Sequence, residues 1–136
     1  MTPSEYRRTA LDNGIRVVSE SMPYLKSASI GIWVDVGSRN ELPRENGISH
    51  FIEHMCFKGT EKRTAKEIAQ SLEILGGSLN AFTSRENACY YCRVIDENFD
   101  TGFDVLADLV TNSLFDPAEL EREKEVICEE IKDVFD

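Results

Sequence analysis

The chain has 136 residues, enough for one domain with a core and too few for two large ones. Its 25 acidic against 15 basic residues leave a formal charge of −10, which argues against a nucleic-acid or anionic-membrane binder that works through basic patches. Hydrophobic residues at 41% and charged residues at 29% are the proportions of a globular domain, and no apolar run nears the roughly 20 residues that span a bilayer.

Met1 to Arg8 is polar, with no apolar segment of the signal-peptide kind. A cytoplasmic, bacterial setting is the resulting expectation, and Cys56, Cys89, Cys92 and Cys128 are read as reduced thiols. Thr9 to Ser19 is predicted as a strand entered through a turn at Asn13-Gly14. Ala28 to Gly37 follows as a second strand, with Ile30, Ile32, Val34 and Val36 on one face. A polar loop runs from Gly37 to Glu45. The next helix is expected from Asn46 or Gly47 to Gly59, and Ile48, Phe51, Ile52, Met55 and Cys56 predict its burial on most sides.

Thr64 and Glu67 form a capping box that opens a helix carrying Ile68, Leu72 and Leu75, closed by Gly76-Gly77. Ser78 to Ser84 and Ala88 to Ile95 read as paired strands around a polar turn at Arg85-Glu86-Asn87. Cys89 and Cys92 have C-x-x-C spacing, but an offset of three in a strand sends them to opposite faces, so both are read as packing residues. A third helix is predicted from Asn98 to Leu114 with Phe103, Leu106 and Val110 on one stripe. A fourth opens at Asp116-Pro117, an N-cap with proline at the first helical position, and continues to the end. Strands mixed with helices and joined as hairpins predict an α+β two-layer domain with a mostly antiparallel sheet.

The chemistry concentrates in His50-Phe51-Ile52-Glu53-His54, which contains both histidines of the chain. On a helix, positions i and i+4 lie one turn apart on one face, so two imidazoles can fill two corners of a tetrahedral zinc. Glu53 lies beside them, where a carboxylate can handle the proton of a metal-activated water. The pattern H-x-x-E-H is the inverted zinc-peptidase signature. Two histidines need a third protein ligand, and the last helix offers carboxylates. Glu123, Ile127, Glu130 and Val134 fall on one helical line, flanked by Val126 and Ile131. Glu130 as ligand with Glu123 as its outer support is the reading that this phase favours.

The segments LDNGIRVVSE, GSRNE, NGISHFIEHMCFKGT, GGSLNAFTSRENACYY and EREKEVICEEIKD, taken together, resemble the pitrilysin/insulinase group of inverted-motif zinc metallopeptidases. Within it the chain is most similar to the β-type of the mitochondrial processing peptidases and to bacterial relatives. The resemblance implies one zinc per chain held by His50 and His54, with Glu53 as general base. The third ligand in that group is a glutamate 76 residues after the second histidine, which here is Glu130, and the supporting glutamate seven positions earlier is Glu123. It also implies that an extended peptide or unfolded protein lies along an edge strand, at Asn80 and Ala81. Members of the group are longer and enclose substrate between homologous domains. Residues 1–136 are thus expected to be the N-terminal, zinc-binding part of a metalloendopeptidase, with a second domain or subunit outside this sequence. The alternative is a non-catalytic subunit or peptide-interaction module on the same fold. A purely structural zinc would need a fourth ligand, for which Cys56 and Cys128 are the candidates.

Overall fold

The structure, a computed structural model, describes residues 5–135, and the side chains of residues 5–132. Glu5–Ala10 (β1) and Arg16–Ser21 (β2) form an antiparallel hairpin. At its tip Gly14 N donates to Leu11 O, and Ile15 N donates to Asn13 Oδ1. The Asn13-Gly14 turn therefore lies between two strands rather than at the entry to one, and the expected strand Thr9 to Ser19 is divided. Both strands are exposed along their whole length. With no buried face, nothing imposes an alternating pattern on Tyr6-Arg7-Arg8, and β1 leaves no sequence signal.

Ser27–Val34 (β3), Ser78–Thr83 (β4) and Ala88–Ile95 (β5) form a second antiparallel sheet in the order β3-β5-β4. The pairing of β4 with β5 is the predicted hairpin. Ala28, Ile30, Ile32 and Val34 turn one face of β3 inward. β3 ends three residues before the predicted Gly37. From there the chain crosses to the β4–β5 turn, where Ser38 N and Arg39 N donate to the carbonyls of Ser84 and Arg85. A Cβ on Gly37 would stand 2.5 Å from the Ser84 carbonyl oxygen, so only glycine permits this approach.

Ile48–Cys56 (α1), Ala65–Glu73 (α2), Phe99–Thr111 (α3) and Pro117–Phe135 (α4) are the helices. Thr64 and Glu67 make the expected reciprocal cap of α2. Asp116 Oδ1 accepts from the N–H groups of Ala118 and Glu119 at the start of α4. The core lies between the sheet and the helices, formed by Ile68, Leu72, Tyr90, Cys92, Val94, Val105, Leu106 and Leu109. Each fully buried leucine here contributes about 2 kcal/mol through removal from water. The result is the predicted two-layer α+β arrangement. The buried stripe of α3 differs from the predicted one: Gly102, Val105, Leu106 and Leu109 face the sheet, while Phe103 is half exposed. Gly102 packs its backbone onto Val94 and Cys92. That close approach fixes the rotation of the helix and turns Phe103 outward.

Cys92 enters the core, whereas Cys89 lies under Gly31 on the opposite face, as an offset of three in a strand requires. That second face carries Phe82 between Trp33 and Tyr91, with Trp33 edge-on to Phe82 at 5.6 Å. Trp33 is 63% exposed. No described helix is long and apolar enough to cross a membrane.

Candidate metal centre

α1 is set in place from outside itself. Glu41, in the loop that follows β3, accepts from Gly47 N at 2.7 Å and Ser49 N at 2.9 Å, satisfying N–H groups that the helix start leaves unpaired. Burial pushes the Glu41 carboxyl upward, but the hydrogen bonds from Ser49 and Gly47 outweigh it and hold the group below its ordinary value. Gly47 enters the helix at φ 90°, in the left-handed region that favours glycine.

From this start α1 presents His50 and His54 one turn apart, with their Nε2 atoms 3.0 Å from each other. α4 crosses antiparallel to α1. His54 Nδ1 lies 2.8 Å from Glu123 Oε1. A carboxylate oxygen only accepts, so this contact requires Nδ1 as the donor, and in the neutral ring that leaves the free lone pair on Nε2, which faces His50. About two turns further along α4, Glu130 Oε2 stands 3.9 Å from His50 Nε2 and 3.8 Å from His54 Nε2. The three ligand atoms all lie within 4.8 Å of one another.

Two nitrogens bound to a tetrahedral zinc at about 2.0–2.1 Å are roughly 3.3 Å apart, close to the separation found here. Two neutral nitrogens and one carboxylate oxygen also form a donor set that zinc accepts, and three protein ligands leave a position open. The residues present fit the ion.

The surroundings differ from the sequence expectation. Ile48 and Ile52 are exposed, the His50 side chain is 43% exposed, and burial on most sides of α1 is not found. Only Ser49, Met55 and Cys56 of α1 are buried. The Glu123 contact, rather than an apolar shell, holds the His54 ring in place. On α4, Glu123 and Ile127 are buried, but Glu130 is half exposed and Val126 and Ile131 face outward. The side chain of Val134 lies outside the described residues. The described part of the line is thus inward-facing at Glu123 and Ile127 and open at Glu130.

Glu123 is 4% exposed and has a second partner that the sequence reading did not single out: Lys58 Nζ at 2.6 Å from Oε2. Burial disfavours its charge, but the bonds from Lys58 and His54 prevail and hold its carboxyl below the ordinary range. Glu53 has an unforeseen partner too, since Thr83 Oγ1 donates to its Oε2 at 2.5 Å. Lys58 stands four residues after His54, so the i, i+4 spacing was the available clue. Thr83 offers none, because it meets Glu53 only through the packing of α1 against β4.

Asn80 is on the exposed face of β4, and Ala81 is half-buried on the helix side. Asn80 Oδ1 accepts the N–H of Ala81 at 2.8 Å. β4 is an edge strand, paired with β5 alone among the described strands. Cys56 is buried with its thiol on the Tyr90 hydroxyl, and Cys128 is exposed. Neither joins the ligand cluster among the described residues.

The model of the insulinase family, peptidase family M16, matches residues 16–136. An uncharacterized zinc protease of Bacillus subtilis is 52% identical over 93% of this chain and 31% of its own length. A probable mitochondrial-processing peptidase subunit beta of Arabidopsis thaliana is 46% identical over 98% of this chain and 25% of its own. The crystal structure of a protease from Helicobacter pylori superposes with a TM-score of 0.88 at 29% identity, covering 93% of this chain and 31% of that one. The chain spans about a quarter to a third of the length of these relatives.

Proposed function

The chain belongs to the insulinase family of peptidases, family M16, and from that premise we propose that it is the zinc-binding part of a metalloendopeptidase that cleaves extended peptides. The observation that carries the reading is the convergence of His50 Nε2, His54 Nε2 and Glu130 Oε2 beside Glu53. One zinc bound there supplies Lewis acidity to a water and to the scissile carbonyl. His50, His54 and Glu130 hold it, and Glu123 keeps His54 in the tautomer whose Nε2 can bind. Glu53 takes the proton of the attacking water and returns it to the leaving amine. Thr83 occupies Oε2 of Glu53, which orients the carboxylate and leaves Oε1 to carry the proton. The substrate backbone adds to the open edge of β4 at Asn80 and Ala81, a mode that reads main chain more than side chains. The Asn80 amide must first release the Ala81 N–H.

The exposed aromatic face of the sheet and the exposed hairpin of β1 and β2 are surfaces for a further homologous domain or subunit, which encloses the peptide and excludes water. Metal content tests the assignment directly. Wild type should carry near one zinc per chain, and Glu130→Gln should lose it. Glu53→Gln should keep the zinc, while hydrolysis by the enclosed enzyme falls about 100-fold or more. Zinc retained at full affinity in Glu130→Gln removes that residue from the ligand set.

A further inference from the structure

We infer that Lys58 is a positioning residue of the metal centre, holding the second oxygen of Glu123 so that this carboxylate braces His54 and stays off the metal. The inference rests on the zinc reading above.

Two glutamates of α4, Glu123 and Glu130, approach the same pair of histidines from one side. Both are competent zinc ligands, so something must assign them different tasks. The contacts form a ladder between antiparallel helices. His50, His54 and Lys58 recur every four residues on one side, and Glu130 and Glu123 face them in reverse order on the other. Glu130 Oε2 faces the Nε2 atoms of His50 and His54 at nearly equal distance. Glu123 stands between His54 Nδ1 and Lys58 Nζ, with one oxygen committed to each. His54 belongs to both rungs, one ring nitrogen in each.

Lys58 is well placed for this task. It lies two residues beyond α1, and its own N–H bonds the carbonyl of Met55, so the ammonium is anchored to the helix that carries the histidines. Its side chain is 30% exposed, while that of Glu123 is 5% exposed. A carboxylate this buried needs more than one neutral donor to remain in place. Without Lys58, Oε2 loses the cationic partner that holds it, while Oε1 stays on the ring whose other nitrogen faces Glu130. A metal held by His50, His54 and Glu130 would offer Oε2 an alternative cation.

The test uses Lys58→Met, with Lys58→Gln as the conservative substitute should the first not fold and Lys58→Arg as the rescue. Zinc affinity is measured by chelator competition and the coordination sphere by the visible spectrum of the cobalt-loaded protein. Lys58→Met should weaken zinc about 10-fold, the size of effect typical of an outer partner of a ligand. Its cobalt bands should lose intensity as Glu123 joins the metal and the coordination number rises. Lys58→Arg should restore both at least in part. In a Glu123→Gln background the Lys58→Met change should have no further effect, since it acts only through that carboxylate. A wild type that binds neither metal sinks the zinc reading and this inference with it. A wild type that binds, beside a Lys58→Met indistinguishable in affinity and spectrum or one whose loss adds fully to that of Glu123→Gln, sinks the Lys58 assignment alone.

Discussion

Asp108 and Glu123 are the two buried carboxylates among the described residues, 2% and 4% exposed, and each sits beside one basic side chain. Asp108 accepts from Thr60 Oγ1 at 2.7 Å, Arg63 Nη1 at 2.6 Å and Asn112 Nδ2 at 2.9 Å. Both Asp108 oxygens are thus paired, Arg63 reaches on to Asp104 from its other nitrogen, and the cluster ties the link between α1 and α2 to α3. Glu123 accepts from Lys58 and His54, but its network does not close. The far nitrogen of His54 opens onto His50 and Glu130 at a half-exposed edge. Equal burial therefore accompanies different roles. A saturated network holds the fold, whereas a network with one atom left over is available for chemistry.

The comparison breaks first at Asp108. Asp108→Ala leaves Arg63 and Thr60 without their shared acceptor, and stability should fall by about 3 kcal/mol or more, read from urea or thermal unfolding. The zinc affinity of the folded fraction should not change. Burial raises the Asp108 carboxyl, and the bonds from Asn112, Thr60 and Arg63 more than reverse this, so its folded pKa lies below the ordinary 3.8. A lowered folded pKa contributes stability that is complete above the unfolded value and is lost as pH falls through the folded one. Acid unfolding curves of Asp108→Asn should accordingly be flatter below pH 3.8 than those of wild type. The second break is at Glu123. Glu123→Gln keeps the shape but removes the charge, and zinc affinity should fall about 10- to 100-fold. If stability falls as far as in Asp108→Ala while zinc affinity holds, the two carboxylates do the same work and the distinction fails.

Much of this arrangement was legible in the sequence, and the exceptions share a cause. Helix period placed Glu123 and Ile127 inward, and the capping box at Thr64 and the proline after Asp116 marked where α2 and α4 start. These signals are local and arise within a few residues. The hairpin strand β1 was missed because an exposed strand has no buried face to write a pattern. Phe103 was misplaced because the rotation of α3 depends on Gly102 meeting Val94, a contact across the fold. Within the candidate site, spacing brought out His50, Glu53 and His54, and phase brought out the two glutamates. Thr83 reaches α1 from a distant strand and Glu41 from the loop just before the helix, where no residue pattern marked it, so their part is visible only once the chain is folded.

Glu41 supplies the smallest and most local test. It resembles Asp108 in being saturated, with both oxygens given to backbone N–H groups, yet it serves α1, the helix that carries the histidines. Glutamine in the same pose puts an NH2 donor where one carboxylate oxygen accepted, so Glu41→Gln loses either the Gly47 or the Ser49 bond. The loss should be about 1 kcal/mol, in the range of a helix-capping contact. Its pH signature follows the same sign as that of Asp108. The Glu41 contribution is complete above the ordinary 4.5 and disappears as pH drops through its lowered folded value, so the variant should differ most from wild type near neutrality and least in acid. Amide exchange locates the effect, with faster exchange at Gly47 and Ser49 and slower recovery toward Cys56. Added zinc should restore part of the protection, because an ion held by His50, His54 and Glu130 would fasten the first turn of α1 to α4. Exchange that quickens in α3 as strongly as in α1 would mean that Glu41 supports the whole fold, and the separation between saturated and open networks would then not extend to the start of this helix.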